Sequence, residues 1–459
     1  MWTRPGQIPN YDALSFPPFM VADSSGVVHA LNVEAITANR KAIFYRSWEP
    51  EQGWSTPVDV ILLSINATYG VIKDLYLDTE GMLHLLFYSE EVMGSYIYYS
   101  RAPVIEAGRV RAWSKPVVAG VNASTVADAK LAFHPDGSIS ILYVGQDQGV
   151  GLYESISDDD GETWSAPVAI SLELADSRWP TNIMPVFDGN GVLHAVWAIV
   201  NERGVGDEIY YARYSENEAE WSQPFLIASR AEEEYSTNWP AIASYGNQLI
   251  IVYQDSFPAT KWMRISNDGG ITWTAPSRPF LHIGEYGTPV MIQDSAGVLH
   301  LILGNRIGDP AVHGMWHTTW QGSFWGELTP IVSGPQSEVF DPSGASVALI
   351  RGNTLLVTWW NNTGNRNGVW YSYTTLNAPQ LAAEPVPTPI PSPTPRTRDI
   401  KSEMTVTAKP TFDPQISDGE EIPDDLFGNP LSVVLAGVAP ASLLAISLLV
   451  IKKVFRSGR

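Results

Sequence analysis

The chain has 459 residues, no cysteine, and 49 acidic against 28 basic residues, for a formal net charge of −21. That composition rules out disulfides, thiolate metal sites and a cysteine nucleophile, and it disfavours a polyanionic partner such as nucleic acid, because no basic run offsets the overall field. With 37 Gly, 34 Pro and 17 Trp, it favours many short strands divided by turns over long helices.

The first residues, MWTRPGQIP, lack the charged and apolar segments of an export leader. They read as an outer strand begun at Trp2 with no sheet of its own. A repeat then sets in. Trp followed by Ser or Thr, any residue and Pro starts at Trp54, Trp113, Trp164, Trp221 and Trp273, with a degenerate copy at Trp325, at intervals of 59, 51, 57, 52 and 52 residues. Upstream of each lies an acidic turn running into an apolar strand: DSSGVVHA, DTEGMLHL, DGNGVLHA and DSAGVLHL, with looser copies HPDGSISI, SYGNQLII and IRGNTLLV. Aromatic strands such as AIFYRS, YIYYSR, EIYYAR and GVWYSY lie between the two signatures. Each period therefore reads as four antiparallel strands, which is one blade of a β-propeller.

There are seven such units, and the seventh, ending at GVWYSYTTLNAP, lacks its Trp strand. The N-terminal Trp strand supplies it. Pairing the two closes the ring and removes an open sheet edge. The expected fold is all-β, a seven-bladed propeller over residues 1–378.

Two turns are complete, SDDDGETW at 157–164 and SNDGGITW at 266–273. They resemble the Asp-box of the sialidase-like, bacterial-neuraminidase-repeat propellers. In that family the box joins the third and fourth strands, on the face opposite the ligand site. The resemblance makes Ser157, Asp159, Gly161 and Trp164, and Ser266, Asp268, Gly270 and Trp273, markers of structure: Ser and Asp bond free backbone N–H groups, Gly takes positive φ, and Trp packs between blades. His29, His84, His194 and His300 recur at one place in four repeats, so they read as packed blade residues. No metal or cofactor is expected.

Ligand chemistry belongs on the opposite rim, built from loops between strands two and three and loops leading into each new blade. The first set contributes Arg203, Arg306 and Arg366; the second contributes Tyr69, Asp128, Asp176, Arg178, Tyr235, Glu285, Tyr286 and Asp341. Arg178, Arg203, Arg306, Arg366, Tyr235, Glu285, Tyr286 and Asp341 are the candidate ligand-binding residues. The resemblance implies three arginines holding a sugar carboxylate, a Tyr and Glu pair as nucleophile and helper, and an Asp acid/base. The family's early arginine lies in a motif of the Arg-Ile-Pro type, and no Arg-Ile-Pro, Arg-Leu-Pro or Arg-Val-Pro occurs here; its catalytic members have six blades. The expectation is thus a propeller that binds a glycan or another extracellular polymer, with an exo-acting sialidase and a protein-docking scaffold as alternatives.

From Pro379 the chain turns Pro-rich and then acidic, which predicts an extended, unpacked linker over 379–430. Residues 431–451 are 21 in a row without charge, the length of a membrane-spanning helix. The tail 452–459 holds Lys452, Lys453, Arg456 and Arg459, which places the C-terminus in the cytoplasm and the propeller outside, on a bacterial cell membrane. This topology needs an export signal, so the start reads as truncated; a tail-anchored protein with a cytoplasmic head is the other option.

Overall fold

A computed structural model describes residues 1–387 apart from 12–15, 38–39, 65–66, 93, 122, 124–127, 174–176, 216–219, 231–235, 256–259, 282, 285–286, 307–311, 362 and 364–367. These belong to the first of two compact units, Met1–Pro389. The expected membrane helix, the basic tail and the linker beyond 387 lie outside the described residues, among which no helix is long and apolar enough to cross a membrane.

Seven antiparallel sheets follow one another along the chain. We number them blades 1 to 7, beginning at residues 19, 67, 129, 178, 238, 290 and 342. Their first strands, from Phe19–Ala22 through Ala67–Leu77, Ala129–Phe133, Arg178–Phe187, Asn238–Tyr245 and Val290–Gln293 to Pro342–Ile350, contact one another in order, and the last returns to the first. They are the inner ring. One apolar cluster fills each interface between neighbouring blades, so the core is a circle of layers in place of one centre.

Closure is as the sequence predicts. Gly6 and Gln7 pair with Tyr371 and Trp370, Thr3 N–H donates to Tyr373 O (2.9 Å), and Ile8 N–H donates to Val369 O (2.8 Å). Trp2 packs edge-on against His317 of blade 6 at 5.6 Å, as Trp164 packs on Tyr99 of blade 2 at 5.4 Å and Trp273 on Tyr211 of blade 4 at 5.0 Å.

The outer strands depart from the four-strand scheme in several blades, and in two of them the motif's proline, which offers no N–H to the ladder, separates two paired segments. In blade 1, Pro57 divides Gly53–Trp54 from Val58–Leu62; in blade 4, Pro224 divides Glu220–Trp221 from Phe225–Ser229. Among the described residues blade 5 has three strands, with the bridge Met263–Ser277 where a fourth would pair. Blade 2 replaces the tight turn by two 3-10 turns, Val104–Glu106 and Val110–Ala112.

Alternating strand direction puts the turns after the first and third strands on one face, here the lower, and the remaining loops on the upper. The turn 157–164 lies between strands Gly151–Ser157 and Val168–Leu172. Gly161 N–H donates to Ser157 Oγ (2.8 Å) and Thr163 N–H to Asp159 Oδ1 (2.8 Å). The turn 266–273 repeats both bonds, from Gly270 to Ser266 (2.8 Å) and from Thr272 to Asp268 (2.9 Å). Gly161 and Gly270 have φ of +83° and +82°, and a Cβ there would meet the rings of Tyr99 and Tyr211 at 2.1 and 1.7 Å.

Those rings are fixed from behind by the recurrent histidines. His84 Nε2 faces Asp78 (3.1 Å) and its Nδ1 faces Tyr99 Oη (2.6 Å). A carboxylate only accepts, so Nε2 donates to Asp78, while Tyr99 Oη also donates to Asp160 O (3.3 Å). The same Asp–His–Tyr line occurs at Asp23, His29 and Tyr45 and, more loosely, at Asp188, His194 and Tyr211, where Nε2 stands 3.5 Å from the carboxylate. In blade 6 His317 replaces the tyrosine, 2.8 Å from His300. The four histidines are structural.

After the last strand the chain continues along the lower face. Asn353 Nδ2 donates to Ala378 O (3.5 Å) and Ser295 Oγ to Pro379 O. Leu381 N–H and Arg351 O are 2.9 Å apart, and Glu384 N–H donates to Ser24 O at 3.0 Å. Val386 then packs on the cluster between blades 1 and 2.

Candidate binding face

The upper ends of several inner strands are bulged. Register slips occur at Ile72/Asp74, Thr181/Met184, Asn238/Ala241 and Ser343/Ser346, with φ of +51° at Asn182, +48° at Trp239 and +61° at Gly344. A bulge re-aims side chains, and here it ties neighbouring blades together at their inner strands. Asp74 accepts from Leu131 N–H (2.9 Å), Asp128 from Ile183 N–H (2.7 Å), and Asn238 Oδ1 from Asn182 Nδ2 (2.9 Å).

Between blades 1 and 2 this face opens into a cleft of about 280 Å³. Phe16, Phe19 and Tyr69 supply aromatic walls; Asn32, Glu34 and Lys41 supply polar groups. The floor is held by Arg46, which is fully buried: it pairs with Glu34 at 2.6 Å, donates to Asn32 Oδ1 and Asn10 O (2.8 Å each), and lies 4.6 Å from the Tyr11 ring. Lys41 Nζ sits 5.2 Å over Tyr69 and Lys130 Nζ 5.3 Å over Phe19. Burial, and then the charge of Glu90, push the Tyr69 phenol up, so it stays neutral and can donate. Of these residues sequence reasoning named only Tyr69. The rest lie within strands or in the first loop, and only the curl of blade 1 against blade 2 brings them together.

The other sequence-predicted residues fall into small clusters. Arg178 bonds Glu208 and lies 3.7 Å from Glu173; Tyr210 Oη donates to Glu208 (3.1 Å). Burial, together with Glu208, raises the Glu173 carboxyl against the opposing pull of Arg178. Arg306 and Asp341 meet across blades 6 and 7 at 2.6 Å, and His313 Nδ1 closes on the same carboxylate at 2.6 Å. Asp341 is buried at 2% exposure, so it serves this ion pair. Arg203 stands in the exposed turn after Asn201, whose side chain accepts its N–H (3.0 Å). Arg366, Tyr235, Glu285, Tyr286 and Asp176 lie outside the described residues. Among the described residues no group of His, Cys, Asp and Glu is arranged to hold a metal ion.

No family model matches the chain, and no curated protein matches it. Solved structures do. A polysaccharide lyase of family PL25, an ulvan lyase, superposes with a TM-score of 0.51 at 11% identity over 81% of this chain and 96% of its own. The same type of enzyme described as bound to -[GlcA(1-4)Rha3S]- gives 0.50 at 11% identity over 81% and 96%. The K499G mutant of the NanB sialidase from Streptococcus pneumoniae gives 0.44 at 13% identity, over 81% of this chain and 70% of its own. At such identities the likeness to the ulvan lyases is one of fold.

Proposed function

We propose that this protein is a glycan-binding propeller whose upper face carries the ligand, with the cleft between blades 1 and 2 as a subsite. The observation that carries this reading is the set of three aromatic walls beside the amide, carboxylate and ammonium of Asn32, Glu34 and Lys41. Aromatic faces take the apolar side of a sugar ring, while the polar groups bond its hydroxyls. The ulvan lyases, one of them described with a sugar chain in place, support the use of such a fold for saccharides. The turn bonds at Ser157, Asp159, Ser266 and Asp268 support a sialidase-like ancestry.

Binding is favoured over hydrolysis of an acidic sugar because two of the expected clamp arginines are already met by carboxylates, Arg178 by Glu208 and Arg306 by Asp341. A guanidinium so engaged has to give up a charge-assisted bond to take a substrate carboxylate. In the same reading residues 431–451 anchor the protein in a bacterial membrane, with the propeller outside and the basic tail in the cytoplasm. A glycan array, followed by calorimetry on the full chain, tests the proposal: saturable binding that Tyr69→Ala weakens by about tenfold is expected. Absence of binding to every glycan would sink it, and turnover of a fluorogenic sialoside would replace it with the enzyme reading.

A further inference from the structure

We infer that residues 379–387 are a second clasp of the ring, one that keeps tension from the C-terminal region off the strand where the ring is closed. The inference goes beyond glycan binding and does not rest on it. The ring is shut without a covalent bond: the N-terminal strand is held by Val369–Thr375, through Gly6–Tyr371, Gln7–Trp370 and their flanking bonds. That partner strand is also the last of the propeller, and 72 residues follow Pro387. If the chain left the body at Asn377, any pull on those residues would peel the strand that carries the closure.

The segment instead crosses the lower face against the first-strand turns of four blades in succession. Ser295 of blade 6 holds Pro379. Arg351 of blade 7 bonds Leu381 twice, by its carbonyl (2.9 Å) and by Nε to Leu381 O (2.8 Å). Ser24 of blade 1 bonds Glu384 twice, at 3.0 and 3.3 Å. At blade 2, Gly81, with φ +81°, lies so close under Pro387 that a Cβ would be 2.6 Å from its carbonyl. The clasp therefore spans both interfaces of blade 1. Proline at 379, 385 and 387 keeps it extended and lowers the entropy lost on docking. Tension applied beyond Pro387 meets blades 2 and 1 first, and the closing strand last.

The natural chain has no cysteine, which makes the test clean. Ser24→Cys with Glu384→Cys in the full chain is expected to form an intramolecular disulfide on mild oxidation; failure to oxidise, or a disulfide-linked dimer, overturns the inference. Hydrogen exchange supplies the second arm. In the unmodified chain the Leu381 and Glu384 amides are expected to exchange at least about tenfold more slowly than in a free peptide. Val386→Asp, or Arg351→Ala where the first variant is poorly folded, is expected to speed exchange at Gly6–Gln7 and Val369–Thr375 while blades 3 to 5 are unchanged. Unprotected clasp amides in the parent, or closing strands indifferent to both variants, also overturn it.

Discussion

Single residues set the lower face. Gly161 combines two demands, a left-handed backbone and the absence of a Cβ against Tyr99, whereas Gly137, at φ +93°, has open space around it. Gly137→Ala should therefore cost only backbone strain, roughly 1–2 kcal/mol. Gly161→Ala adds overpacking and should cost about 2–5 kcal/mol; thermal midpoints of the two variants compare them directly. His317 is the departure from the Asp–His–Tyr line. Burial first, and then the neighbouring His300, push its pKa down from 6.5 to about 4. A lowered imidazole pKa means that the unfolded chain takes up the proton first as pH falls. Its contribution is thus intact above about 6.5 and lost progressively between there and about 4, by up to about 3 kcal/mol. His317→Tyr, restoring the residue used in blades 1, 2 and 4, should remove that slope from midpoints measured across the window.

At the scale of the element, legibility followed periodicity. The inner three strands of every blade were readable because their alternation and their turn residues are local. The partners of the closing strand, Trp370 and Tyr371, were readable because one repeat lacks what the N-terminus supplies. The division of the outer strand at Pro57 and Pro224 in blades 1 and 4 was not legible, because the Trp motif carries the same proline at Pro116, Pro167 and Pro276. Nor was the bridge that stands where a fourth strand of blade 5 would pair, since WTAP at Trp273 matches the other copies. Removing residues 1–8 exposes the edge of Val369–Thr375, and an unpaired edge recruits another chain. The truncated protein is expected to elute as larger species in gel filtration and to unfold at lower temperature than the parent.

For the whole molecule, charge and ring geometry decide together. The eight basic and eight acidic residues after Pro389 cancel, so the entire −21 belongs to the propeller unit. Against that background Lys41 and Arg46 of one blade 1 strand and the distant Lys130 gather about the cleft with Glu34 and Asp74. Association of a charged saccharide should therefore slow as the ligand becomes more anionic and recover with salt, because screening removes repulsion from the body before it weakens contacts in the cleft. Stopped-flow binding at two ionic strengths checks the sign.

The sequence by itself determined the seven blades and their circular closure, because the repeat recurs at near-regular spacing and its strands and turns act within a few residues of chain. Only the tertiary structure decided which side chains share a cleft, which arginines are bound to carboxylates, and that residues 379–387 lie on the body. Such contacts join residues up to hundreds of positions apart, and the twist of the blades and the curvature of the ring, which no local pattern encodes, bring them within bonding distance.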